Sequence, residues 1–124
     1  MAKTTELVRR SEMPRRGLDR CHDGEGTLDF TEVYSARRSG MPTSVRFVHD
    51  DVLPPGVSIG RHRHGESEEF YYVVSGSGLM QLDDEEFQVS AGDVTVVYPG
   101  GSHGLVNNTN EPLRIIVVGA APRE

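Results

Sequence analysis

The sequence predicts an all-β fold, two antiparallel sheets closed into a barrel. Three observations carry that reading. From residue 27 onward the chain falls into nine short segments rich in Val, Ile, Phe, Tyr and Thr, separated by turn-forming residues. No stretch shows the 3.6-residue apolar period of a core-facing helix. The 124 residues, 35% of them hydrophobic, suffice for one buried core.

The segments run in order as 27–34 (TLDFTEVY), 44–53 (SVRFVHDDVL), 57–64 (VSIGRHRH), 69–74 (EFYYVV) and 78–82 (GLMQL). They continue as 86–90 (EFQVS), 93–98 (DVTVVY), 102–107 (SHGLVN) and 112–118 (PLRIIVV). RRSGMP, PPG, HGES, SGSG, DDEE, SAGD, PGGS and NTNEP stand between them. Gly, Pro, Asn and Asp in these breaks favour turns and end the pleat. Many short strands in one domain favour a double-sheet jelly roll, which hides most of its edges. Residues 1–16 carry five basic and two acidic side chains and few large apolar ones, so they read as a solvated arm ahead of a barrel at 17–124.

The net charge of −6 argues against general nucleic-acid binding. No apolar run reaches the ~18–20 residues of a membrane span. The start of the chain lacks the apolar core of a signal peptide, and Cys21, the single cysteine, has no internal disulfide partner. A cytoplasmic location is the expectation.

Chemistry concentrates at His62, His64, Glu69 and His103. On a strand of period two, His62 and His64 point to the same face. Glu69 opens the next apolar segment after a polar turn, and His103 follows the PGG turn. Three neutral imidazoles and one carboxylate suit a divalent transition metal: Zn, Fe, Mn, Ni, Co or Cu. With four protein donors, an octahedral ion keeps positions open for water or a bidentate substrate, whereas a tetrahedral one is closed.

The same residues resemble the two motifs of the cupin superfamily. The first, G-x5-H-x-H-x3,4-E-x6-G, is matched by Gly56, His62, His64, Glu69 and Gly76. Glu68 fits the shorter spacer, but only Glu69 lies the required distance before Gly76. The second, G-x5-P-x-G-x2-H-x3-N, is matched by Gly92, Gly100, His103 and Asn107, with Tyr98 in place of its proline. The resemblance implies a double-stranded β-helix and a metal held by His62, His64, Glu69 and His103. It also implies a homodimer and a small-molecule ligand or substrate. Dioxygenase, isomerase, lyase and condensation chemistry are all compatible with it, as is binding without turnover.

Strand parity nominates further residues. Tyr71 shares the parity of Glu69 and is a candidate catalytic proton donor. Arg46, Arg114, His49, Met80 and Gln81 are candidates for the cavity wall, their orientation left open by the sequence. Gly60 interrupts a strand just before the histidines, where a glycine permits a bulge or a close backbone approach. His22 and His49 fall outside both motifs and read as ordinary surface or hydrogen-bonded histidines.

Overall fold

The structure, a computed structural model, describes residues 3–122. Its strands are β1 (Arg15–Asp19), β2 (Thr27–Ser35), β3 (Val45–Leu53), β4 (Ser58–Arg63) and β5 (Glu68–Ser75). They continue as β6 (Ser77–Leu82), β7 (Glu85–Ser90), β8 (Val94–Val97), β9 (Ser102–Val106) and β10 (Leu113–Ala120). Six form one sheet in the order β1-β2-β3-β10-β5-β8, and four form a second in the order β4-β9-β6-β7. Every pairing is antiparallel. The all-β jelly roll expected from the sequence is the fold observed.

Each of the nine predicted segments contains a strand, and the chain adds β1. Arg15 and Arg16 disguise β1 as part of a basic arm, yet it pairs along its whole length with β2, from Arg15↔Thr31 to Asp19↔Thr27. Its arginines find partners on that neighbour. Arg15 makes a two-point ion pair with Asp29, and the Arg16 guanidinium lies 4.9 Å above the Phe30 ring. The RRSGMP break holds one helical turn, α1 (Ala36–Ser39). The Ser35 hydroxyl accepts the Arg38 N–H at its start, and Gly40 ends it in the left-handed region at φ 71°.

The core lies between the sheets and follows the two-residue period. Phe47, His49, Asp51 and Leu53 of β3 face inward, as do Leu113, Ile115 and Val117 of β10 and Glu69, Tyr71 and Val73 of β5. Met80 and Leu105, opposed in the β6–β9 register, close the apolar centre from the other sheet. Asn107 is fully buried and ties the loops at that end: its Nδ2 donates to the Leu53 and Glu111 carbonyls, and its Oδ1 accepts from the Thr109 N–H and hydroxyl.

Candidate metal centre

Three elements deliver the four donors. His62 and His103 are directly opposed in the β4–β9 register. His64 sits just beyond β4, where its N–H donates to the Gly101 carbonyl and its carbonyl accepts the Gly100 N–H. Gly100 adopts φ 87°, so the PGG turn can fold back and clamp His64 in this way. Glu69 comes from β5 in the opposite sheet, paired with Val97 and Gly119. The group therefore bridges the two sheets.

One local irregularity makes this possible. Val57 and Ile59 are buried in the core, so strict alternation would send Arg61 inward and both histidines out. The β4–β9 register slips between Ile59 and His62, and this bulge at Gly60 turns His62 to the interior. Gly60 also receives a neighbouring chain segment. A Cβ built there would lie 1.9 Å from the His22 carbonyl oxygen. Gly24 approaches β4 as closely, its Cβ position 2.3 Å from the Ser58 carbonyl, and Ser58 pairs with Glu25 through both its N–H and its hydroxyl. Both roles expected of Gly60, bulge and close approach, are present.

The donor atoms converge. His103 Nε2 lies 3.1 Å from His62 Nε2, 3.2 Å from His64 Nε2 and 3.1 Å from Glu69 Oε1. His64 Nε2 is 3.4 Å and His62 Nε2 3.9 Å from the same carboxylate oxygen. One imidazole nitrogen cannot hydrogen-bond with three such neighbours at once, since it carries at most one proton. Donor–donor separations of this size fit a shared cation about 2.0–2.2 Å from each. The far sides of two rings agree with that reading. His62 Nδ1 is 2.8 Å from the Gly60 carbonyl, which accepts a proton only, and His64 Nδ1 is 2.9 Å from the Ser67 hydroxyl. An Nδ1–H at His62 leaves the Nε2 lone pair facing the centre, and Ser67 can fix His64 in the same way.

Electrostatics support a ready ligand set. Burial would raise the Glu69 pKa, but the imidazoles of His103, His62 and His64 around its carboxylate outweigh that and hold it down at about 2. At His64 burial lowers the pKa and favours the neutral, ligating form. At His62 burial also acts downward, but the Glu69 carboxylate and the Gly60 carbonyl outweigh it and the pKa is raised.

Beside the donors lies a cavity of about 380 Å³, with Glu69, Tyr71, His49, His22, Cys21 and Asp51 among its lining residues. Phe30, Phe47, Ile59 and Val117 supply apolar wall, and Arg16 contributes a cation. Tyr71 is buried with its ring centroid 4.7 Å from that of His103, and burial holds its phenol protonated, far above the ordinary range. A larger depression of about 560 Å³ lies elsewhere, around Arg61, Arg63 and Tyr98. It holds none of the four donors, and its arginines are engaged by the Asp83 and Gly100 carbonyls.

The structure settles the residues whose orientation parity left open. His49 faces the cavity, and burial depresses its pKa to about 4. Arg46 and Arg114 do not line it: Arg46 donates to the Pro122 carbonyl and Arg114 makes a two-point pair with Asp50. Met80 belongs to the apolar core, and Gln81 has the opposite parity on β6. Tyr98 is exposed, so the side chain replacing the motif proline points away from the donors.

Neither His22 nor His49 belongs to the donor group, as expected, but both line the cavity, and the His22 ring stacks on His62 at a centroid distance of 3.6 Å. The sequence hides His22 because it sits in an irregular turn where Arg20, His22 and Asp23 all have positive φ. Asp51 was also missed. Its signal was present in the Phe47, His49, Asp51, Leu53 alternation, obscured by the adjacent Asp50.

The family model described as the cupin domain matches residues 50–119. The chain belongs to the cupin family. An oxalate-binding protein of Thermotoga maritima is 30% identical over 115 residues, 93% of each chain. The solved structure of a predicted oxalate decarboxylase from Thermotoga maritima superposes with a TM-score of 0.85 at 27% identity, covering 94% of this cupin and 100% of that chain. The quercetin 2,3-dioxygenase of Escherichia coli K12 is 28% identical over 121 residues, 89% of this cupin but 52% of that protein. Cupins commonly bind divalent metals, and this cupin's His62, His64, Glu69 and His103 form a group that could hold one.

Proposed function

We propose that this cupin binds a divalent transition metal through His62, His64, Glu69 and His103 and acts as a small metalloenzyme on a polar or anionic metabolite held at that metal. The observation that carries the reading is the convergence of three Nε2 atoms and one carboxylate oxygen, all within 4.8 Å of one another. Zn, Fe, Mn, Ni, Co and Cu all accept this donor set. Bound there, the ion supplies Lewis acidity and open coordination positions for a substrate oxygen. Three neutral imidazoles and one carboxylate leave a divalent centre with one net positive charge, which selects anionic and oxygen-rich compounds.

The chain's own residues then orient and protonate. The neutral His49 imidazole, the protonated Tyr71 phenol and the aromatic faces of Phe30 and Phe47 bound the space beside Glu69. Tyr71 is assigned as proton donor, since burial keeps its proton in place until a basic atom is brought against it. Arg16 attracts a carboxylate to the cavity. A second reading, ligand binding without turnover, draws on the Thermotoga maritima relative, named for oxalate binding.

Elemental analysis of protein purified without an affinity tag tests the metal. Near-stoichiometric divalent metal is expected, and a metal-free folded protein that does not take up added metal would overturn the reading. Turnover of small carboxylates and hydroxy acids by the loaded protein, lost on chelation, separates the enzyme from the binding module.

A further inference from the structure

β3 carries adjacent aspartates that face opposite ways. Asp50, on the outer face, accepts both arms of Arg114 and a further hydrogen bond from Arg10. Asp51 faces inward and lines the cavity that contains Glu69. It is 5% exposed, and its buried Oδ1 has no hydrogen-bond partner among the described residues. Buried polar atoms are nearly always satisfied, so an unpaired oxygen on a side chain that lines a cavity makes that side chain a candidate for binding what enters it. Asp50 has a structural task; Asp51 has none visible in the fold.

We propose that Asp51 anchors the far end of the ligand held at the His62–His64–Glu69–His103 centre, its carboxylic acid donating a hydrogen bond to a second oxygen function of that ligand. This rests on the metal-centred reading above and narrows it to a short acid with a chelating head and a second carboxylate. Charge supports that class: a divalent ion on the four donors contributes one net positive charge and Arg16 a second, and a dianion balances both. A cavity of about 380 Å³ is of ligand-binding size.

The acid form of Asp51 is available at neutral pH. Burial, then the negative charge of Asp50, Glu69 and Asp29, pushes its pKa from 3.8 up to about 7. The other titratable groups lining the cavity are the Cys21 thiol, its pKa lifted to about 11 by burial, the Tyr71 phenol, His22, His49 and Arg16. His22 and His49 are both biased by burial toward the neutral form. Arg16 alone among the lining residues is a standing cation.

The test uses the full chain loaded with cobalt, with loading verified by elemental analysis. Two probes share a chelating head and chain length, 2-oxoglutarate and 2-oxopentanoate, and differ in the tail carboxylate. Wild type should bind 2-oxoglutarate about tenfold or more tightly than 2-oxopentanoate by cobalt absorption, the size of one charge-assisted hydrogen bond. Asp51→Leu should lower that ratio severalfold while leaving 2-oxopentanoate affinity within about twofold. Asp51→Asn, which keeps a donor of the same shape, should retain most of the preference. In wild type the preference should fade as rising pH takes the proton from Asp51, and in Asp51→Asn it should not. Equal affinities in loaded wild type, no spectral response to either probe, or an undiminished ratio in Asp51→Leu would each overturn the role of Asp51 while leaving the metal site intact. Failure to load cobalt at all would overturn the metal reading and this inference with it.

Discussion

The His22 imidazole lies flat against that of His62, with ring centroids 3.6 Å apart and planes 13° from parallel. A turn with three positive-φ residues, Arg20, His22 and Asp23, sets this contact by packing its backbone directly onto β4 at Gly60. The stack covers one face of a proposed ligand and ties its orientation to a segment about forty residues away.

Gly60→Ala should therefore be severely damaging. Its Cβ would meet the His22 carbonyl oxygen at 1.9 Å and the Gly24 nitrogen at 2.9 Å, both backbone atoms that cannot swing aside. A loss of about 3 kcal/mol or more, measured by denaturant unfolding, is expected. His22→Ala should cost about 1 kcal/mol and weaken metal retention by removing the stacked ring. Equal metal retention in His22→Ala and wild type would show the stack to be incidental.

His62→Ala, His64→Ala and His103→Ala should each reduce metal content, and Glu69→Gln should weaken binding with the fold retained. His49→Ala is the appropriate control, because His49 lies outside the donor group and lacks the His22 contact with His62. Chelation should lower the melting temperature, since linkage gives about 2.7 kcal/mol when free metal is a hundred times the dissociation constant. Full occupancy in a Glu69→Gln/His103→Ala double variant would reject the ligand assignment.

Acid should release the metal as the imidazoles take up protons near their ordinary pKa of about 6.5. Protonation begins at His62, whose pKa is raised, and is resisted at His64, where burial lowers it. Metal content measured after equilibration at descending pH should fall across that range. Retention to well below pH 5 would contradict a site dependent on three neutral histidines.

Asp51 should carry a pH signature in chelated protein. Its native pKa of about 7 exceeds the ordinary 3.8, so between those values the native state keeps a proton that the unfolded chain has lost. Its contribution to stability is present below about pH 4 and declines as pH rises to about 7. Asp51→Asn should match wild type near pH 4 and exceed it above pH 7 by about 2–4 kcal/mol, at roughly 1.4 kcal/mol per unit. His49 acts in the opposite sense, its depressed pKa of about 4 making stability fall as pH drops from 6.5 toward 4. Comparing the two proteins at each pH isolates the Asp51 effect.

A homodimer is the expected assembly, and the outer face of β5 and β8 offers a place to test it. Phe70, Tyr72 and Val94 are 40%, 48% and 55% exposed there, on a sheet edge. Sedimentation should give twice the 13.7 kDa chain mass, reduced by Tyr72→Asp. A wild-type mass near that of one chain at micromolar concentration would reject the dimer.

The amino-acid order alone determined the β-strand segmentation and the four-residue donor pattern. Both are local signals: a two-residue apolar period broken by Gly, Pro, Asn and Asp, and fixed spacings within two short motifs. Parity also placed Tyr71 beside Glu69 correctly. On β4 parity put His62 and His64 on one face, as found, but it is the register slip at Gly60 that turns that face inward, against the alternation set by Val57 and Ile59. Only the tertiary structure decided that His22 covers His62, that Asp50 is held by Arg114 while Asp51 is left free in the cavity, and that Arg46 and Arg114 point outward. Those outcomes depend on contacts between segments distant in sequence, such as the turn at 20–26 lying against β4, whose approach no periodicity within either segment encodes.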